Sequence, residues 1–144
     1  MRIQSIASNQ PRSGVAAVEF AIVAPILVFF FAIGVDFARS FYAHLIITNA
    51  SRNAALYGSG DPNKANDTAG MQAMALKDTS DLANVTVTSG NYVDANDGYE
   101  YVWVKVSYPF QTVTSFPGVP SQTIYQTTIM RVVPTTPRPG TYGY

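Results

Sequence analysis

The sequence predicts an α+β protein, a long N-terminal helix that is transmembrane in its first half and packed by its second half on a small antiparallel β-sheet with one additional helix. Three observations predict it. Residues 15–35 read VAAVEFAIVAPILVFFFAIGV, a stretch of 21 residues with a single charge, and about 20 apolar residues in a helix cross the hydrocarbon core of a bilayer. From Asp36 to Tyr57 there is neither proline nor glycine, and apolar residues recur at helical spacing. Beyond that point three runs alternate apolar and polar residues with the period of a strand.

The first element carries Glu19 inside its apolar run, directly behind Gly14. A carboxylate in a membrane span is costly unless it is paired, so Glu19 is a candidate functional residue. Arg2 and Arg12 precede the span and no acidic residue does, and the positive-inside rule then places the N-terminus in the cytoplasm and the C-terminal part outside. A cleavable secretory signal is the rival reading. The apolar run is longer than a typical h-region, and no small-x-small site follows Val35 before Asp36 and Phe37. Pro25 removes the hydrogen bond to the carbonyl of Ala21 and is expected to kink the helix; membrane helices tolerate such a residue as a harmless bend.

Past the span, two faces continue: Phe37, Phe41 and Leu45, and Ala43, Ile47, Ala50, Ala54 and Tyr57. Gly58, Gly60 and Pro62 supply the stop, with glycine as C-cap. A helix over residues 15–57 is about 65 Å long, so about half of it projects beyond the membrane. Lys64 to Leu82 is expected to form the additional helix, with Asp61 on its N-cap side. The strands are expected at Val85 and Val87, from Val102 to Tyr108, and from Ile124 to Val133. In the middle strand Val102, Val104 and Val106 share the buried face, and Tyr101, Trp103, Lys105 and Ser107 the wetter one. Asp97-Gly98 is a hairpin turn into that strand, and Phe116 to Pro120 turns the chain toward the last. The expected organisation is a leader at 1–14, the helix at 15–57, an exported domain at 58–133 and an extended Pro-rich tail at 134–144.

Composition narrows the chemistry. The 144 residues hold nine basic and nine acidic side chains, one histidine and no cysteine. No Lys/Arg cluster exists for nucleic acid, and no thiolate, disulfide or cysteine-type zinc site is available. His44 lacks companions at metal spacing and reads as a surface or packing residue. Asp94 to Gly98 departs from a calcium loop, whose glycine stands sixth where Gly98 stands fifth. No phosphate-binding glycine loop, serine elbow or HExxH helix is present. The expectation is a non-enzyme with no catalytic residue, no metal and no cofactor. Tyr101 and Trp103 are a possible interaction surface, since aromatic residues are enriched at interfaces; they serve equally as the wetter face of a sheet.

The run RSGVAAVEFAIVAPILVFFFAIGVDFARSFYAHLIITNASRNAALYG resembles the signature of TadE-like proteins, pilin-like minor components of the tight-adherence (Flp) pilus machinery. The resembling parts are Gly14, Glu19-Phe20, Ala24-Pro25, the Asp36-Phe37-x-Arg39 exit and Asn49-Ala50-Ser51-Arg52-x-Ala54-Ala55 running to Gly58. The resemblance implies a pilin-like fold in a bacterial inner membrane and a prepilin peptidase that cuts after Gly14, leaving Val15 first. It further implies that the new amine of Val15 pairs with Glu19 of a neighbouring subunit. Major pilins of this system usually carry tyrosine where this chain has Phe20, and they have a far smaller exported part, so the resemblance points to a minor pilin, or pseudopilin. Its implied partners are other pilin-like subunits, the peptidase, the inner-membrane assembly platform and membrane lipid. Two alternatives stand beside it, an uncleaved membrane-anchored scaffold of the secretion machinery and an exported adhesin-like domain.

Overall fold

The computed structural model describes residues 13–113 and 121–134. Helix α1 spans Ser13–Ser59, 47 residues with Pro25 inside. Two short helices follow, α2 (Pro62–Asn66) and α3 (Thr68–Asp78). Strands β1 (Thr86–Val93), β2 (Glu100–Phe110) and β3 (Gln122–Arg131) form one antiparallel sheet in that order, so the longest strand is central. The fold is the predicted α+β arrangement of a long apolar helix across a three-stranded sheet.

The register explains the alternation. Val104 lies opposite Ser89 on β1 and Thr128 on β3, and Val102 opposite Asn91 and Met130. With side chains alternating across a strand, Val102, Val104 and Val106 all point to one face and are fully buried under α1. The helix answers with Ala43, Ile47, Ala50 and Ala54, the second of the two expected faces. Alanine is small enough to let the helix axis approach the sheet, and Ile47 supplies the volume between them. The first face, Phe37, Phe41 and Leu45, stays exposed. Met71 and Ala75 of α3 close the core on the flank of α1.

The chain departs from expectation at several joints. The single helix expected from Lys64 to Leu82 is two, because Asp67 ends α2 and caps α3: its carboxylate accepts the Gly70 N–H at 2.8 Å. Asp61 is the cap expected for the first of them, accepting the amides of Asn63 and Lys64 at 2.8 and 3.0 Å. Leu82 lies beyond α3 in a turn. Gly58 is not a C-cap but part of the last turn of α1, which ends at Ser59. A Cβ at Gly58 would run into the Met71 Sδ and lie 3.4 Å from a Val102 methyl carbon, so this glycine serves close packing. The first strand begins at Thr86, just after Val85, and continues to Val93. Asp97-Gly98 does lie in the β1–β2 hairpin, with Gly98 left-handed at φ 67° and the Asp97 carboxylate accepting the Tyr99 amide. The leader through Arg12, the turn at Phe116–Pro120 and the tail after Pro134 lie outside the described residues.

Candidate functional site

The candidate site begins on the naked half of α1. Gly14 and Val15 occupy its first turn, and Glu19 and Phe20 the next; all four are exposed along the helix. Glu19 stands four residues after Val15, hence on the same helix face. No side chain among the described residues bonds to Glu19, and a Cβ built on Gly14 meets nothing. The helix continues unbroken through Pro25. No residue from Val15 to Val35 is buried by the rest of the chain, and this stretch is long and apolar enough to cross a membrane. Such a surface requires lipid or other apolar helices around it.

Where the apolar stretch ends, the head clasps the helix. Asp36 is 8% exposed. Its Oδ1 accepts the Val113 backbone N–H at 2.9 Å and an Arg39 Nη1–H at 3.2 Å. Arg39 also reaches the Gln111 carbonyl at 3.5 Å and lies over the Phe110 ring, 5.6 Å from its centroid. Sequence reasoning marked Asp36 and Arg39 only as part of a resemblance. Their partners stand more than 70 residues away in the chain, and the one local signal was a pair of opposite charges at i, i+3.

The small residues of the Asn49-to-Gly58 run find their reason here too. Ala50, Ser51, Ala54 and Ala55 are fully buried, while Asn49, Arg52 and Asn53 face outward. The Ser51 hydroxyl shares a 2.8 Å hydrogen bond with that of Thr128 and donates to the Thr48 carbonyl, so helix and sheet meet through a satisfied polar contact inside an apolar interface. At the end of α1 the Tyr57 hydroxyl donates to Asp67 Oδ2 at 2.8 Å. The amide of Gly70, and after it the Tyr57 hydroxyl, hold the Asp67 carboxyl below the usual carboxylate range; the same bond to Asp67 pushes the Tyr57 phenol up.

The possible interaction surface is the outer face of the sheet. Tyr101 stacks on Tyr92 with centroids 5.7 Å apart and donates its hydroxyl to Asp97 Oδ2 at 2.7 Å. That bond raises the Tyr101 pKa above the ordinary phenol value. Trp103 lies against its cross-strand neighbour Gly90, where a Cβ would come within 2.9 Å of the indole nitrogen. Lys105 sits over the Tyr125 ring and Arg131 over that of Tyr99. Both Tyr101 and Trp103 are half-buried and already occupied within the sheet. His44 is exposed, and among the described residues no cluster of His, Asp and Glu could hold a metal.

No curated protein and no solved structure matches this chain. The family model of TadE-like protein matches residues 14–56. That segment contains the exposed apolar helix, Glu19, the Asp36–Arg39 exit and the small-residue face on the sheet, so the matched residues coincide with α1. Over residues 14–56, which make up most of α1, this chain is similar to TadE-like proteins.

Proposed function

We infer that this protein is a minor pilin of the tight-adherence pilus system, made as a precursor, cut after Gly14 and assembled through α1 with other pilin-like subunits. The observation that supports it is a membrane-length helix of which no residue from Val15 to Val35 is buried by the rest of the chain, and whose single charge there, Glu19, lies one turn from the expected new N-terminus at Val15. Glycine has no side chain to obstruct the scissile backbone, which suits a peptidase acting there. After cleavage the Val15 amine is a cation beside hydrocarbon, and Glu19 of a neighbour neutralises it. Stranding one charge of such a buried pair costs about 3–5 kcal/mol, which gives assembly a defined register. The N-terminus is cytoplasmic and the sheet domain extracytoplasmic, held at the inner membrane until assembly.

Intact-mass and N-terminal analysis of the protein from its native membrane, with and without the host's prepilin peptidase, tests this. A peptidase-dependent start at Val15 is expected. A start at Met1 in both cases would replace the pilin reading with that of a permanent membrane-anchored scaffold.

A further inference from the structure

The residues just past the span form a structure that nothing in the pilin reading uses. A cleft of about 200 Å³ is lined by Arg39, Ala83, Asn84, Tyr108, Pro109 and Gln111. Its depth is fixed by the clasp at Asp36: at about 1.5 Å per helical residue, Arg39 lies about 6 Å beyond Val35. The headgroup layer on each side of a bilayer is about 5–7 Å thick, so Arg39 stands at the level of lipid phosphates. The flanks agree with that depth, because Phe37 is 73% exposed and Val113 67%, and Tyr42 is exposed one turn further out. Apolar and aromatic side chains at the rim of a span are placed as interfacial anchors are.

The Arg39 side chain remains 46% exposed. It spends only Nη1 on Asp36 and Gln111, and among the described residues its Nε and Nη2 donors have no acceptor. Asp36 is the carboxylate beside it, and part of that negative charge is taken up by the Val113 amide. A guanidinium with donors to spare matches a phosphodiester in geometry as well as charge. Asn84, left-handed at φ 61°, and the exposed Gln111 add polar groups to the wall.

We propose that the cleft at Arg39 binds the phosphate of a glycerophospholipid at the head-side rim of the span, so that the sheet domain is seated on the lipid surface. This rests on the reading of residues 15–35 as a bilayer span. The source is lipid and not free phosphate because the cleft is held at headgroup depth, a depth at which Phe37, on another side of α1, is also exposed.

The full chain is reconstituted in phosphatidylglycerol vesicles, checked by flotation, then extracted in detergent and its retained lipid counted by native mass spectrometry. Wild-type protein is expected to keep one phosphatidylglycerol, Arg39→Gln to lower that retention about tenfold through loss of a charged hydrogen bond, and Arg131→Gln on the outer sheet face to leave it unchanged. Equal retention in Arg39→Gln and wild type, with both floating, overturns the lipid site alone. Wild-type protein that does not float overturns the span reading and this site with it. Displacement of the lipid by inorganic phosphate overturns the assignment to lipid. If Arg39→Gln loses the circular-dichroism signal of the head, Asn84→Asp on the cleft wall decides: a carboxylate there is expected to repel the phosphate and lower retention about tenfold with the head folded, and unchanged retention overturns the site.

Discussion

Asp67 shows how one residue organises a joint. One carboxylate oxygen caps α3 through Gly70, and the other receives the Tyr57 hydroxyl from the end of α1. Because these donors lower its pKa in the folded state, the group contributes stability that is present above the unfolded value of about 3.9 and is lost as pH falls through the lower folded value. Asp67→Asn is therefore expected to flatten the acid limb of a plot of melting temperature against pH, and an unchanged acid limb would remove this role. Gly58 is the second joint. Gly58→Val would place carbons into fully buried Met71 and is expected to destabilise the head by about 1–3 kcal/mol in thermal melts of the detergent-solubilised chain. Adding Met71→Ala should recover part of that loss, since the two sites are in contact and their effects do not add.

At the scale of elements, α1 carries two apolar stripes and the structure uses them differently. Ile47 is fully buried against the sheet, and Ile47→Ala is expected to cost about 2–5 kcal/mol by leaving a cavity. Phe41, on the other stripe, is exposed, and Phe41→Ala should change head stability by no more than about 0.5 kcal/mol. Comparable losses from the two substitutions in melting experiments would contradict the packing described. On the sheet, the same alternation separates the buried valines of β2 from Tyr101 and Trp103. If the outer face anchors another pilus component, Trp103→Ala should weaken its pull-down with the head still folded; unchanged binding would reduce that face to solvent-exposed sheet.

For the whole molecule, the division of labour is between a bare helix and a head that clasps its outer half. Glu19 touches nothing in the head, so Glu19→Ala should leave its melting temperature unchanged while abolishing incorporation with other pilin-like subunits. Normal assembly of that variant, judged by sedimentation of sheared pili, would sink the pairing with the Val15 amine. The Asp36 clasp makes the opposite forecast. Asp36→Asn weakens a contact between α1 and the segment after β2, and its effect should appear in the stability of the head.

The membrane-length helix, its continuation to Tyr57, the two apolar stripes of α1, the buried face of β2 and the hairpin at Asp97-Gly98 were legible in the sequence because each is a local pattern. Periodicity and turn chemistry act over a few residues, and one chain displays them in full. The resemblance over Gly14 to Gly58 was legible for the same reason, as a contiguous run matched by the family over residues 14–56. Tertiary structure alone decided which stripe of the helix meets the sheet, why Gly58 must lack a side chain, that Asp67 divides the second helix, and that Asp36 and Arg39 hold the segment after β2. Those outcomes depend on which atoms face one another across tens of residues of chain, where close packing and hydrogen-bond satisfaction choose among options that local pattern leaves equivalent.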